Sequence, residues 1–250
     1  MLADRCERLR SLHVPGQPLV LPNAWDAASA RAVVEAGFPV VATSSAAVAE
    51  ALGYEDDERA PSGEMLAAAA RIAASVDVPV TVDAEAGYGM TPEDLVDALL
   101  RAGASGCNVE DTDHAIGRLV EPERQAERLA EIRRAADERS YPLVVNARVD
   151  VFLADRSGPQ TRLVDAAIDR ARSYLGAGVD CVYPIFLSED DALAAFVRAV
   201  DAPVNVLASS QAPPLARLAE IGAARVSYGS SIHDRTMREL ASLLASLPRS

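Results

Sequence analysis

The 250-residue chain is long enough to bury one large α/β core, and half of its residues are hydrophobic while only 4% are aromatic, the palette of helices packed on parallel strands. A formal net charge of -13 argues against nucleic acid or an anionic membrane surface as a partner. No apolar run approaches the ~18 residues of a membrane span, and no N-terminal stretch has the layout of a signal peptide, so a cytoplasmic protein is expected.

All 24 basic residues are arginine, and without a lysine amine Schiff-base aldolase chemistry is closed. Cys6, Cys107 and Cys181 lie far apart with no CxxC pair, which reads as free core thiols rather than a disulfide framework or structural zinc. His13, His114 and His233 are equally scattered and read as structural or surface residues.

In chain order, short apolar or β-branched runs recur eight times: "LVLPNA" from Leu19, "PVVATS" from Pro39, "VPVTVDA" from Val78, "SGCNVED" from Ser105, "PLVVNAR" from Pro142, "DCVYPI" from Asp180, "PVNVLA" from Pro203 and "ARVSYG" from Ala224. Helical segments separate them. In "TPEDLVDALLRAG", Thr91 is the expected cap, Pro92 suits the first helical position and Gly103 ends the helix. In "SEDDALAAFVRAV", Ser188 is the expected cap. A C-terminal helix is expected near residues 231–247.

Nearly continuous apolar strands are those buried on both faces, and eight of them alternating with helices predict an α/β fold, a single (β/α)8 TIM barrel over residues 1–250. A doubly wound open sheet is disfavoured because the first strand-to-helix turn, "LPNAWDAASA", lacks a glycine-rich phosphate fingerprint. The longest connection without an assigned element runs from Ser44 to Ser62, and long connections in compact domains are usually functional.

In such a barrel the working residues stand at the C-terminal ends of the strands. Here these are Asn23, Trp25 and Asp26; Thr43, Ser44 and Ser45; Asp83 and Glu85; Asn108, Glu110 and Asp111; Asn146, Arg148 and Asp150; Asn205; and Ser227. Taken singly, Asp26, Asp111 and Asp150 read as caps or salt-bridge partners. Strand alternation is expected to aim Asp83 and Glu85 to one side, with Glu110 on the next strand. Three inward carboxylates repel one another unless a cation joins them, and an all-oxygen set points to Mg2+ or Mn2+. Arg148 offers a planar fork for a substrate carboxylate or phosphonate.

"VDAEAGYG", "NVEDT", "NARVD", "PVNVLA" and "ARVSYG", in this order and spacing, resemble the isocitrate lyase/phosphoenolpyruvate mutase superfamily from about Leu21 to Arg238. The resemblance implies a barrel of the phosphoenolpyruvate/pyruvate-binding type that acts on small 2-oxo or 2-hydroxy acids through an enolate. By motif, Asp83 resembles the direct metal ligand, with Glu85 and Glu110 holding the ion mostly through water. Arg148 matches the arginine that grips substrate. "TSSAA" resembles the segment whose backbone N–H groups, near Ser44, Ser45 and Ala46, hold the substrate's oxygens. "GYEDDE" matches Asp56 to the family's loop aspartate, with Asp57 as its neighbour and fallback.

The stretch "DTDHAIGRLVEPE" departs from the family, because the lyases carry a lysine- and cysteine-containing loop there and the phosphonate enzymes a lysine. His114 and Arg118 are the only titratable or cationic substitutes, and His114 is a candidate proton donor. The expected function is a Mg2+-dependent C–C lyase for a small carboxylate substrate. The alternatives are C–P mutase or hydrolase chemistry, and a non-catalytic oxo-acid-binding barrel. The resemblance also implies a homo-oligomer, a dimer or tetramer.

Overall fold

The computed structural model describes residues 1–248; the last two residues of the expected 1–250 domain lie outside the described residues. Each of the eight apolar stretches carries a barrel strand. Pro22, which has no N–H to give to a ladder, divides the first into β1 (Leu19–Leu21) and β2 (Asn23–Ala24). β3 (Val41–Thr43), β4 (Val80–Asp83) and β5 (Gly106–Glu110) follow. A small antiparallel hairpin, β6 (Thr112–Asp113) and β7 (Arg118–Leu119), stands outside the ring. The ring continues with β8 (Val144–Val149), β9 (Cys181–Pro184), β10 (Asn205–Leu207) and β11 (Arg225–Ser227).

The pairing order β2-β3-β4-β5-β8-β9 is parallel throughout, and β11 lies between β10 and β1. Two joints close the ring. One is Pro22 itself; the other is the parallel bridge between Val182 and Val204, with the Val182 N–H donating to Pro203 O at 3.1 Å.

The helices are α1 (Leu2–Ser11), α2 (Ala27–Glu35), α3 (Ser45–Leu52), α4 (Ser62–Ala74), α5 (Pro92–Ala102), α6 (Pro122–Glu138), α7 (Val151–Ala154), α8 (Val164–Gly176), α9 (Asp190–Val200), α10 (Leu215–Ile221) and α11 (Ser231–Ser246). Ile72, Leu95, Leu99, Leu129, Ile132 and Phe196 are fully buried in the shared core. Among the described residues no helix is long and apolar enough to cross a membrane.

Local signals explain several helix ends. Thr91 accepts the Asp94 N–H at 3.1 Å and Gly103 takes φ 73°, as expected for α5. The Ser44–Ser62 connection is partly helical instead of irregular: Ser44 caps α3 by accepting the Ala47 N–H at 3.4 Å, and Gly53 ends it at φ 88°. Ser188 does not cap α9. That helix starts two residues later, and the side-chain oxygen of Gln160 accepts the N–H groups of Ser188 and Glu189 at 2.8 and 2.9 Å.

The N-terminal end of the barrel is plugged by α1. Leu9 is completely buried among Leu19, Leu21, Val40, Ala42 and Val144, residues at or near the starts of strands. Glycine at position 106 admits it: a Cβ there would stand 2.7 Å from Val144 O and 2.8 Å from Leu9 Cδ2. The other end of the barrel stays open.

Candidate active site

At the open end, Asp83 terminates β4 and its carboxylate is pinned from two sides. Oδ2 accepts the Ser45 N–H at 3.1 Å and the Ser45 hydroxyl at 3.0 Å, while Asn108 Nδ2 reaches Oδ1 at 3.4 Å. Asn108 is held in that orientation because its Oδ1 already accepts from Asn146 Nδ2 at 2.8 Å and Arg225 Nη2 at 3.2 Å. The Ser45 N–H, expected to face substrate, is therefore engaged by Asp83. Among the described residues the Ala46 N–H, in the first turn of α3, takes no protein partner.

Glu85 arrives by a different route from the one alternation predicts. The strand ends at Asp83, and Glu85 sits in the turn beyond it with φ 48° and 2% exposure. Its Oε2 accepts the Glu58 N–H at 2.5 Å, and Glu58 Oε1 in turn accepts the Tyr88 N–H at 2.5 Å. This reciprocal clasp holds the loop of Asp56 and Asp57 down on the rim. It sustains left-handed backbone at Asp57 (φ 62°) and Glu58 (φ 58°), each costing on the order of 1–3 kcal/mol. Glu58 went unnoticed in the sequence, although it is the last acid of the "GYEDDE" run.

Glu110 is 3% exposed and pairs with Arg148 Nη2 on one oxygen and His114 Nε2 on the other. Arg148 also gives Nε and Nη2 to Asp150, at 2.7 and 2.8 Å. Asp150 is further fixed by the Thr112 hydroxyl at 2.6 Å and by its own N–H donating to Asp111 at 2.8 Å; Asp111 accepts from Tyr174 OH at 2.6 Å and Arg170 at 3.0 Å. One edge of the Arg148 fork is thus committed to protein. Among the described residues Nη1 makes no hydrogen bond, which leaves it for a ligand.

Burial and crowding shift these groups together. Glu85 is pushed up to about 8, chiefly by burial, with Asp56, Asp83 and Glu110 adding to the shift against the Glu58 N–H. Burial also raises Glu110, opposed by Arg148 and His114, and raises Asp56, with Asp83 adding. His114 rises to about 9, mainly through its hydrogen bond to Glu110. It is a protonated ion-pair partner at neutral pH, behind Glu110 rather than on the main cavity, and Arg118 is exposed on β7.

That cavity, about 520 Å3, is lined by Ser44, Ser45, Ala46, Asp56, Asp83 and Arg148 on its polar side and by Leu153, Ile185, Phe186 and Leu207 on its apolar side. Asn205 is fully buried beneath it and hydrogen-bonds Ser227 at 3.2 Å, so Ser227, not Asn205, lines the wall. Asn23 is pinned between Thr43 O at 2.7 Å and the Tyr228 N–H at 2.8 Å.

A divalent cation fits this mouth. Asp56, Asp83 and Glu110 all push the Glu85 pKa up, Asp56 Oδ1 is buried without a partner, and Arg148 is already shared by two carboxylates. The oxygens of Asp83, Glu85 and Glu110 do not converge within 4.8 Å of one another. That spacing suits a hard ion that touches one carboxylate and reaches the others through retained waters.

Fold and site together define a (β/α)8 barrel of the phosphoenolpyruvate/pyruvate-binding type. The family profile described as phosphoenolpyruvate phosphomutase matches residues 9–247, and the chain belongs to the phosphoenolpyruvate mutase/isocitrate lyase superfamily, which includes lyases and mutases. It is similar to a provisionally assigned phosphonomutase of Burkholderia cenocepacia J2315, with a TM-score of 0.92, 41% identity and coverage of 97% of this chain and 100% of that one. An uncharacterized protein of Mycobacterium tuberculosis H37Rv is 36% identical over 88% of this chain and 80% of its own length. The 2-methylisocitrate lyase of Salmonella typhimurium LT2 is 29% identical over 85% of this chain and 73% of its own length.

Proposed function

We propose that this protein is a Mg2+-dependent lyase, with Mn2+ as the substitute ion, that cleaves a C–C bond in a small 2-oxo or 2-hydroxy carboxylate through an enolate. The observation that carries the reading is the composition of the cavity: one arginine, a row of carboxylates and an aliphatic wall. A phosphonate dianion calls for several cationic donors, whereas a short carboxylate with an aliphatic substituent matches a single guanidinium edge facing Leu153, Ile185 and Leu207.

In this reading Asp83, Glu85 and Glu110 would hold the ion. When bound, the ion would supply Lewis-acid stabilisation of negative charge developing on the substrate. Arg148 Nη1 and the Ala46 N–H bind the substrate's carboxylate oxygens, and Ser44 and Ser45 shape that end of the pocket. Asp56, whose pKa is raised by burial and by Asp83, takes the hydroxyl proton as the C–C bond breaks and its electron pair passes into the enolate. The Glu58 clasp keeps Asp56 in place and water out. Asn205 supports the pocket floor through Ser227.

C–P mutase or hydrolase chemistry is the second reading, favoured by the 41% identity to the Burkholderia protein. An oligomer built through α11 belongs to the same proposal, because Met237, Leu240, Leu243, Leu244 and Leu247 are 42–60% exposed. The test is turnover of purified protein with Mg2+ on methylisocitrate, oxaloacetate, malate analogues and phosphonopyruvate. Release of an oxo acid from a carbon substrate supports the lyase, and phosphonate turnover supports the second reading. Oxalate binding without any turnover would make the protein a non-catalytic barrel.

A further inference from the structure

Away from the barrel mouth, α3 and α11 bring together three side chains that the proposed chemistry does not use. We propose that Glu50, His233 and Asp234 form a second metal site, for a borderline divalent ion of the Zn2+ class, that clamps α3 to α11. One ligand atom from each lies within 4.8 Å of the others, the one such group among the described residues.

The geometry favours a metal over a simple ion pair. His233 is 3% exposed, and its buried Nδ1 has no hydrogen-bond partner. That nitrogen faces Glu50 Oε2 at 3.5 Å. This is long for a hydrogen bond, which spans ~2.7–3.2 Å. It matches the edge of a tetrahedral shell, since Zn–N and Zn–O bonds of about 2.0–2.2 Å put neighbouring ligands roughly 3.3–3.6 Å apart.

Supporting contacts fix the ligands in place. The Ser230 hydroxyl lies 3.2 Å from Asp234 Oδ2, and Trp25 packs edge-on against the His233 ring with centroids 4.8 Å apart. Such outer contacts orient first-shell ligands in metal sites. One imidazole with two carboxylates selects Zn2+, Mn2+, Co2+ or Ni2+ over Mg2+, so the two sites differ in chemistry. They are mechanically joined, because α3 presents Ser45 and Ala46 to the cavity and the segment opening α11 presents Ser230 and Ser231. An ion between Glu50 and His233 fixes two halves of the active-site rim relative to each other.

Trp25 is the chain's only tryptophan and therefore a local reporter. The experiment titrates Ni2+ into the full-length protein in excess Mg2+ and follows tryptophan emission. The expected result is saturable loss of more than half the emission at one equivalent, reversed by competing Zn2+. Glu50→Gln and Asp234→Asn, both at solvent-accessible positions, are each expected to weaken the apparent affinity by about tenfold or more. Asp83→Asn is expected to leave the quenching intact. Absence of saturable quenching, quenching unchanged in both flank variants, or its loss in Asp83→Asn would overturn the proposal.

Discussion

The two ends of this barrel are built from the same eight strands and spend their buried volume in opposite ways. At the N-terminal end, Leu9 fills the ring among Leu19, Leu21 and Val144, and a titratable ring hydrogen-bonded to its carbonyl, His13, is held neutral with its pKa lowered to about 4, chiefly by burial. At the C-terminal end, Glu85, Glu110, Arg148 and Asp150 are just as inaccessible but charged or poised to be. The closed end shows how the strands pack when only stability matters. The open end shows how much unfavourable electrostatics the closed end must support.

The largest effect that separates the ends is expected from Arg148→Ala. It leaves Asp150 buried without its cation and Glu110 with His114 alone, which should cost about 3–5 kcal/mol of stability. It should also lower kcat/KM on the order of 10^2–10^3-fold, as loss of one charge-stabilising donor does. Denaturant melts and steady-state kinetics on one preparation read both. Leu9→Ala comes next, with about 2–5 kcal/mol lost from the cavity it opens and kcat per folded molecule unchanged. A matched fall in kcat would show that the ends are not independent.

The ends should also respond to pH with opposite signs. The folded pKa of Glu85 is raised from 4.5 to about 8, so in metal-free protein the folded state binds more protons than the unfolded one over that range, and stability falls as pH rises through it. His114, raised from 6.5 to about 9, contributes stability present below 6.5 and lost as pH climbs through 9. His13 is lowered from 6.5 to about 4, so its contribution is lost as pH falls through that window. Each group adds a slope of at most roughly 1.4 kcal/mol per pH unit. Glu85→Gln should flatten the alkaline limb and His13→Gln the acid limb of melting temperature against pH. Saturating Mg2+ should flatten the alkaline limb alone.

The smallest effect on folding is expected outside both ends. Leu243→Glu and Leu244→Glu, at positions 60% and 54% exposed, should change stability by no more than about 0.5 kcal/mol. They should shift the sedimentation coefficient towards a monomer if α11 carries the assembly.

The strands were legible because residues buried on both faces leave continuous apolar runs, and every such run became a barrel strand. The placement of Asp83, Glu110 and Arg148 at strand ends was legible for the same reason. What escaped were contacts made by groups distant in sequence. Gln160 fixes the Ser188 and Glu189 N–H groups ahead of α9, where Ser188 is the expected cap, and Glu58 clasps a turn 27 residues downstream. The His233 nitrogen meets Glu50 from the far end of the chain. Glu85 was placed on the right rim for the wrong reason, since a left-handed turn carries it there. Helix α3 was signalled by Ser44 and Gly53 but hidden by small residues that look like a loop. Asp150 reads from the sequence as a cap or salt-bridge partner, and it is one; pattern alone does not reveal that its partner is Arg148, two residues away on the same side of the strand.

The most direct test of the central claim, that the open end is a divalent-cation site for C–C cleavage, is the rate of 2-oxo acid release from the carbon substrates. It should be measured with Mg2+, with EDTA and with Asp83→Asn. The expected result is release that needs Mg2+, stops in EDTA and falls to background in Asp83→Asn while the variant still folds. Release at an undiminished rate in EDTA or in Asp83→Asn would contradict it.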